Sequence, residues 1–163
     1  MKSFENKVAA ITGAGSGIGR ALALGLARQG CHVALSDVNS AGLKETAELV
    51  RKLGVKASEA QVNVADRDAV QAWADQVMAE YGQVNAIFNN AGVAQGGTVE
   101  GNDYADYEWV MSINFWGVVN GTKAFLPHLK STGEGHIVNT SSIFGLFAQP
   151  GMSAYNASKF AVR

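Results

Sequence analysis

Short β-like runs alternate with helix-length stretches along this whole chain, and that alternation constrains its fold more than any other feature. The runs are Lys7–Thr12 (KVAAIT), His32–Ser36 (HVALS), Val55–Val62, Val84–Phe88 and His136–Thr140 (HIVNT). The helical stretches are Ser16–Gln29, Ser40–Leu53, Asp66–Tyr81, Asp103 to about Lys130, and a last one from about Ser153. Strands followed by helices predict an α/β fold: a doubly wound parallel sheet with right-handed crossovers and helices on both faces. No repeat, low-complexity tract or linker interrupts the pattern, so residues 1–163 read as one domain. The hydrophobic fraction of 47% against 17% charged suits strands covered on both sides.

Local signals sharpen the boundaries. Gly30 and Gly54 stop the first two helices, and Ser40 and Asp66 stand where N-caps are needed. Ile18, Leu22 and Leu26 with small residues are expected on the inner face of the first helix. Glu45 and Glu48 fall outside on the second, while Ala69, Val70, Trp73, Val77 and Met78 make the apolar face of the third. The fourth is strongly apolar from Ile113 to Leu129, with Pro127 able to kink or tighten its last turn.

Where the first run meets the first helix stands TGAGSGIG, residues 12–19. Glycines at a strand–helix turn let a pyrophosphate approach backbone N–H groups, and the helix N-terminus adds a favourable dipole. The spacing of Gly13, Gly17 and Gly19 fits better than G-x-G-x-x-G, with Ser16 in the turn and Ile18 placed behind it. Asp37 follows the second run, 24 positions past Gly13. A carboxylate there can accept from both adenosine ribose hydroxyls and repel a 2′-phosphate. No Arg or Lys occupies 36, 38 or 39, so NAD is favoured over NADP; a plain turn cap before Asn39 and Ser40 is the alternative.

At the other end, Tyr155 and Lys159 lie four residues apart, one helical turn, and share a helix face. An ammonium near a phenol favours the phenolate and makes tyrosine a usable acid–base group. Ser142 precedes Tyr155 by thirteen residues.

Composition excludes other classes. A net charge of −1 with no basic cluster argues against nucleic-acid and anionic-membrane partners. No run reaches membrane-spanning length, and the N-terminus lacks a signal-peptide core. Cys31 is the only cysteine and fits a small buried hydrophobe. His32, His128 and His136 are not grouped at metal-ligand spacing. A soluble, cytoplasmic protein is expected.

With these residues in order, the chain resembles the short-chain dehydrogenase/reductase family. TGAGSGIG resembles its cofactor turn, Asp37 its NAD-selecting acid, Asn89-Asn90-Ala91-Gly92 its NNAG element, Asn114 its helix asparagine, Ser142 its serine and Tyr155 with Lys159 its YxxxK pair. The resemblance implies a Rossmann-type sheet with five of its strands present and the family's C-terminal strands missing. It implies an NAD-dependent oxidoreductase that interconverts a secondary alcohol and a ketone, working as a dimer or tetramer. Tyr155 would be the acid–base, Lys159 would hold the nicotinamide ribose, Ser142 the substrate oxygen, and Asn114 a water leading to Lys159. Asn90, Ala91 and Gly92 would lie by the cofactor, with Asn90 and Gly92 near the adenine-side ribose. Each has a plainer alternative: Asn114 as a helix-packing group, Ser141 or Ser142 as a turn cap. Gln95, Phe144, Leu146 and Phe147 are candidate pocket residues, and Phe115 and Trp116 candidate core or subunit contacts. Where the family often has Asp-Val after its third strand, this chain has Asn63-Val64; the Asn carbonyl can still accept from adenine.

The chain ends at Arg163, one turn past Lys159. Three expectations follow: an oxidoreductase whose remaining residues lie beyond this sequence, a truncated nucleotide-binding module without turnover, or a fragment that self-associates through its open sheet edge and the apolar 113–129 helix.

Overall fold

The computed structural model describes residues 3–163. Five parallel strands form one sheet in the order β3-β2-β1-β4-β5. They are β1 (Val8–Thr12), β2 (His32–Asp37), β3 (Ala57–Gln61), β4 (Ala86–Asn89) and β5 (His136–Asn139). The helices are α1 (Gly17–Ala27), α2 (Ser40–Arg51), α3 (Arg67–Tyr81), α4 (Tyr104–Met111), α5 (Gly117–Ser131) and α6 (Ser153–Val162).

All five residues of β1 are buried, because helices cover both faces of the sheet. Alternation sends Val8 and Ala10 into a cluster with Trp73, Val77 and Phe125 from α3 and α5. Ala9 and Ile11 enter a second cluster with Leu26, Leu43 and Val50 from α1 and α2. The sequence order reverses between β1 and β4, and a crevice opens above the strand ends there, the usual ligand position in an open α/β sheet.

Several boundaries differ from the sequence reading for identifiable reasons. Asn39, not Ser40, caps α2: its side chain accepts from the Gly42 N–H at 3.1 Å, and Ser40 is the first helical residue. Asp66 does cap α3, accepting from the N–H groups of Asp68 and Ala69. Ile18 is 65% exposed rather than on the inner face. The buried face of α1 is Gly19, Ala23, Leu26 and Ala27, and Ile18 stands roughly 100° around the helix from Gly19. The third strand is shorter than Val55–Val62 because its polar residues form a half-exposed sheet edge. The stretch from Asp103 to Lys130 is interrupted by a π-helical turn, Ser112–Trp116, where the Gly117 N–H reaches back to the Ser112 carbonyl. Strand β5 is the opposite edge and is exposed throughout. No described helix is long and apolar enough to cross a membrane.

Candidate active site

A cavity of about 470 Å³ lies above the ends of β1, β2, β4 and β5. The glycine-rich turn forms one wall. Gly13 has φ +66°, and a Cβ there would stand 2.8 Å from the Ala91 Cα. A Cβ on Gly19 would overlap the Gly13 carbonyl, so α1 seats directly on the turn only because both are glycine. Ser16, Gly17, Ile18 and Gly19 line the cavity. No side chain caps α1, and no acid stands in its first turn, whereas α2, α3 and α4 are capped by Asn39, Asp66 and Asp103. The first-turn N–H groups of α1 are therefore left for an external acceptor, the arrangement that receives a phosphate.

Asp37 closes this wall. Its Oδ2 accepts from the Gly15 N–H at 2.8 Å and its Oδ1 from the Asn39 N–H at 2.9 Å. It caps the turn and lines the cavity at once. Asn63 and Val64 line the cavity beside it. The Asn63 side-chain carbonyl already accepts from the Ala65 N–H at 3.0 Å, so one of its lone pairs is taken.

The floor is cross-linked by two threonines that sequence reasoning missed. Thr12 Oγ1 donates to the Phe88 carbonyl and accepts from the N–H groups of Asn90 (2.9 Å) and Ala91 (3.0 Å). Asn90 donates to the Thr12 carbonyl at 3.1 Å and accepts from the Thr140 hydroxyl at 3.3 Å. The available signal was positional, since Thr12 and Thr140 close the runs KVAAIT and HIVNT. Gly92 lines the cavity, and a Cβ there would stand 3.2 Å from the Asn114 Oδ1 and 3.5 Å from the Lys159 Nζ.

At that end, α6 carries Tyr155 and Lys159 into the cavity. Lys159 is only 4% exposed, and burial pushes its ammonium below the ordinary lysine range. Its Nζ donates to the Thr140 carbonyl at 3.1 Å and lies 5.6 Å from the centre of the Tyr155 ring. Asn114, fully buried in the π-helical turn, spends its side chain on protein partners. Its Oδ1 accepts from the Val93 N–H at 2.8 Å, and its Nδ2 donates to the Val93 carbonyl and the Ser158 hydroxyl, each at 2.9 Å. The amide thus ties the loop after β4 to α6.

Ser141 donates to the Lys159 carbonyl at 3.1 Å and is committed to holding α6. Ser142 Oγ accepts from the Phe144 N–H at 3.2 Å. Ser141, not Ser142, lies in the cavity lining. Of the pocket candidates, Phe144 packs edge-on to Tyr155 at 6.2 Å and to Phe147 at 5.7 Å. Leu146 and Phe147 are exposed, and Gln95 is tied to Asp106 at 3.2 Å. Trp116 is exposed, and Phe115 packs edge-on against it.

Comparison with known proteins shows the family and the fold. The short chain dehydrogenase family model matches residues 7–163. SadH of Mycobacterium tuberculosis, named as an oxidoreductase, is 56% identical over 163 residues, which is 100% of this chain and 59% of SadH. A short chain dehydrogenase/reductase from Burkholderia phymatum, solved in complex with NAD, superposes with a TM-score of 0.96 at 42% identity, covering 99% of this chain and 58% of that one. Carveol dehydrogenase from Mycobacterium avium, also in complex with NAD, gives a TM-score of 0.94 at 34% identity over 97% of this chain and 62% of that one. The chain thus spans about three-fifths of the length of these three proteins. From the glycine-rich turn to the end of α6, the chain belongs to the short-chain dehydrogenase family.

Proposed function

We propose that residues 1–163 form one nucleotide-binding unit whose cleft takes NAD, and that the protein interconverts a secondary alcohol and a ketone. The observation that carries this reading is the buried Lys159 ammonium beside Tyr155, on the same cleft as the uncapped start of α1 and the Asp37 carboxylate. The residues present fit a dinucleotide. The N–H groups of Gly17 to Gly19 suit its pyrophosphate, and Asp37 suits the adenosine ribose hydroxyls while repelling a 2′-phosphate. NADP is the less favoured cofactor for that reason. Two similar structures were solved with NAD, which supports the same choice.

Bound NAD supplies the hydride acceptor, and NADH the donor. The chain's own residues handle the proton. The Tyr155 hydroxyl takes the alcohol proton on oxidation or gives one to the carbonyl oxygen on reduction. Lys159 stabilises negative charge on the phenol oxygen and can donate to the nicotinamide ribose. Ser142, whose oxygen is oriented by the Phe144 N–H, donates its O–H to the substrate oxygen and stabilises charge developing there. Asn114 acts as a positioning group through Val93 and Ser158. The widened turn at 112–116 is the place for a water-linked proton path to Lys159. Exposed Tyr104, Trp109 and Trp116 along the α4–α5 stretch support a homo-oligomer, a dimer or tetramer.

Tyr155→Phe tests the assignment. NADH binding should stay within about twofold, while alcohol oxidation falls by roughly 10²–10⁴-fold. Retained turnover would remove Tyr155 from the acid–base role.

A further inference from the structure

Arg20 carries a set of contacts that take no part in the chemistry of Tyr155 and Lys159. It follows the glycine-rich turn on α1, yet its guanidinium reaches back across that turn to α2. Its Nη2 donates to the Gly15 carbonyl at 2.7 Å and to Glu45 at 2.8 Å, with a longer bond of 3.4 Å to the Gly42 carbonyl. Its Nε donates to Thr46 Oγ1 at 3.0 Å, and Thr46 in turn donates to the Gly42 carbonyl. Three-quarters of this side chain is shielded from solvent, whereas a solvated surface arginine is expected to be largely exposed.

The two sides of Gly15 are the key. Its carbonyl is held by Arg20 and its N–H by Asp37 Oδ2 at 2.8 Å. The residue is also in close contact on both flanks. A Cβ on Gly15 would stand 3.0 Å from the Asp37 carboxyl carbon, and one on Gly42 would stand 2.6 Å from the Gly15 oxygen. The chain of contacts therefore runs Glu45–Arg20–Gly15–Asp37. One of the two backbone donors that orient the Asp37 carboxylate is itself held in place from behind by a guanidinium.

We infer that Arg20 is a positioning residue for cofactor selectivity. It touches no cofactor; by fixing Gly15 it holds the Asp37 carboxylate where it favours an unphosphorylated adenosine ribose and opposes a 2′-phosphate. This inference rests on the dinucleotide reading of the cleft. Removing Arg20 alone would also strip a positive charge and oppose NADPH for an unrelated reason. The informative variant is therefore Arg20→Met combined with Glu45→Gln, which removes one charge of each sign and leaves the local net charge unchanged.

The experiment is a fluorescence titration of wild type and the double variant with NADH and with NADPH. The dissociation constant for NADH should rise by about 10-fold, the scale of one charge-assisted hydrogen bond, while that for NADPH changes by less than about twofold. The preference for NADH then falls about fivefold or more. Equal weakening toward both nucleotides, or an unchanged ratio, would overturn the inference, since a merely structural brace would loosen the turn for both alike. Should the double variant lack a cooperative unfolding transition, Arg20→Lys is read in the same assay. It keeps the charge but cannot bridge Thr46 and Gly15 together, so an unchanged ratio there would overturn the inference as well. A wild type that binds neither nucleotide would count against the dinucleotide reading itself, a result distinct from binding with an unaltered ratio.

Discussion

Replacing Lys159 with methionine should make the protein more stable and inactive at once. The ammonium is 4% exposed, it donates a hydrogen bond to the Thr140 carbonyl at 3.1 Å, and no carboxylate pairs with it among the described residues. An uncompensated buried charge costs about 3 kcal/mol at the low end of measured cases. Methionine keeps the apolar stem and removes that cost. Against this, the Thr140 carbonyl loses its donor, which costs about 1 kcal/mol where water can reach a half-buried oxygen. The net gain is about 2 kcal/mol, or about 4–8 °C in melting temperature for a chain of this size. The pH dependence fixes the cause. Burial lowers the folded-state pKa of Lys159 below the ordinary 10.5, so the unfolded chain binds the proton more tightly. The wild-type penalty is fully present well below the folded pKa and is relieved as pH rises through the interval up to 10.5. Thermal unfolding followed by circular dichroism at pH 7 and at about pH 9.5 should show the advantage of Lys159→Met shrinking with pH. A variant less stable than wild type, or an advantage that does not change with pH, would refute the reasoning.

Asp37→Ala should erode the preference for NADH over NADPH, read as a ratio of dissociation constants; an unchanged ratio would remove the selectivity argument. Cys31 should resist thiol reagents in the folded protein, because burial pushes its thiol up from 9.0 to about 11. That shift lowers the thiolate fraction at neutral pH about 100-fold, and rapid labelling of the native chain by Ellman's reagent would contradict it. Phe125 is fully buried with its ring edge-on to Trp73 at 5.0 Å. Phe125→Ala should lower the urea-derived unfolding free energy by about 3–5 kcal/mol, and a loss under about 1 kcal/mol would mean that this face of the sheet is not closely packed.

Most of the architecture is legible in the residues because strands buried on both faces and amphipathic helices leave strong periodic traces. Val8–Thr12 of the run KVAAIT became a wholly buried strand, and the Val70–Trp73–Val77 stripe became the inner face of α3. What escaped was local. A β-like window cannot separate a central strand from an edge, so the polar residues of β3 were read as part of a longer strand. Asn39 and Ser40 are both good caps, and only the Asn39 bond to the Gly42 N–H decides between them. The π-helical turn at 112–116 contains no proline or glycine to announce it. Ile18 looked like a core residue by type, but α1 turns Gly19 and Ala23 inward and leaves Ile18 at the cleft rim. Many of the residues that line the cleft, from the glycine-rich turn and Asp37 to Tyr155 and Lys159, were legible as motifs along the chain. Their second partners were not, because Thr12 and Thr140 act through backbone groups brought together by the sheet, and Arg20 through a turn that folds back beside its own helix.

The most direct test of the central claim, that this cleft takes NAD, is an NADH fluorescence titration of the protein with NAD as competitor. The expected result is saturable binding below about 1 mM that NAD displaces and that weakens on Asp37→Ala. Signal that never saturates, or binding that NAD does not displace and Asp37→Ala leaves unchanged, would contradict the assignment of the cleft.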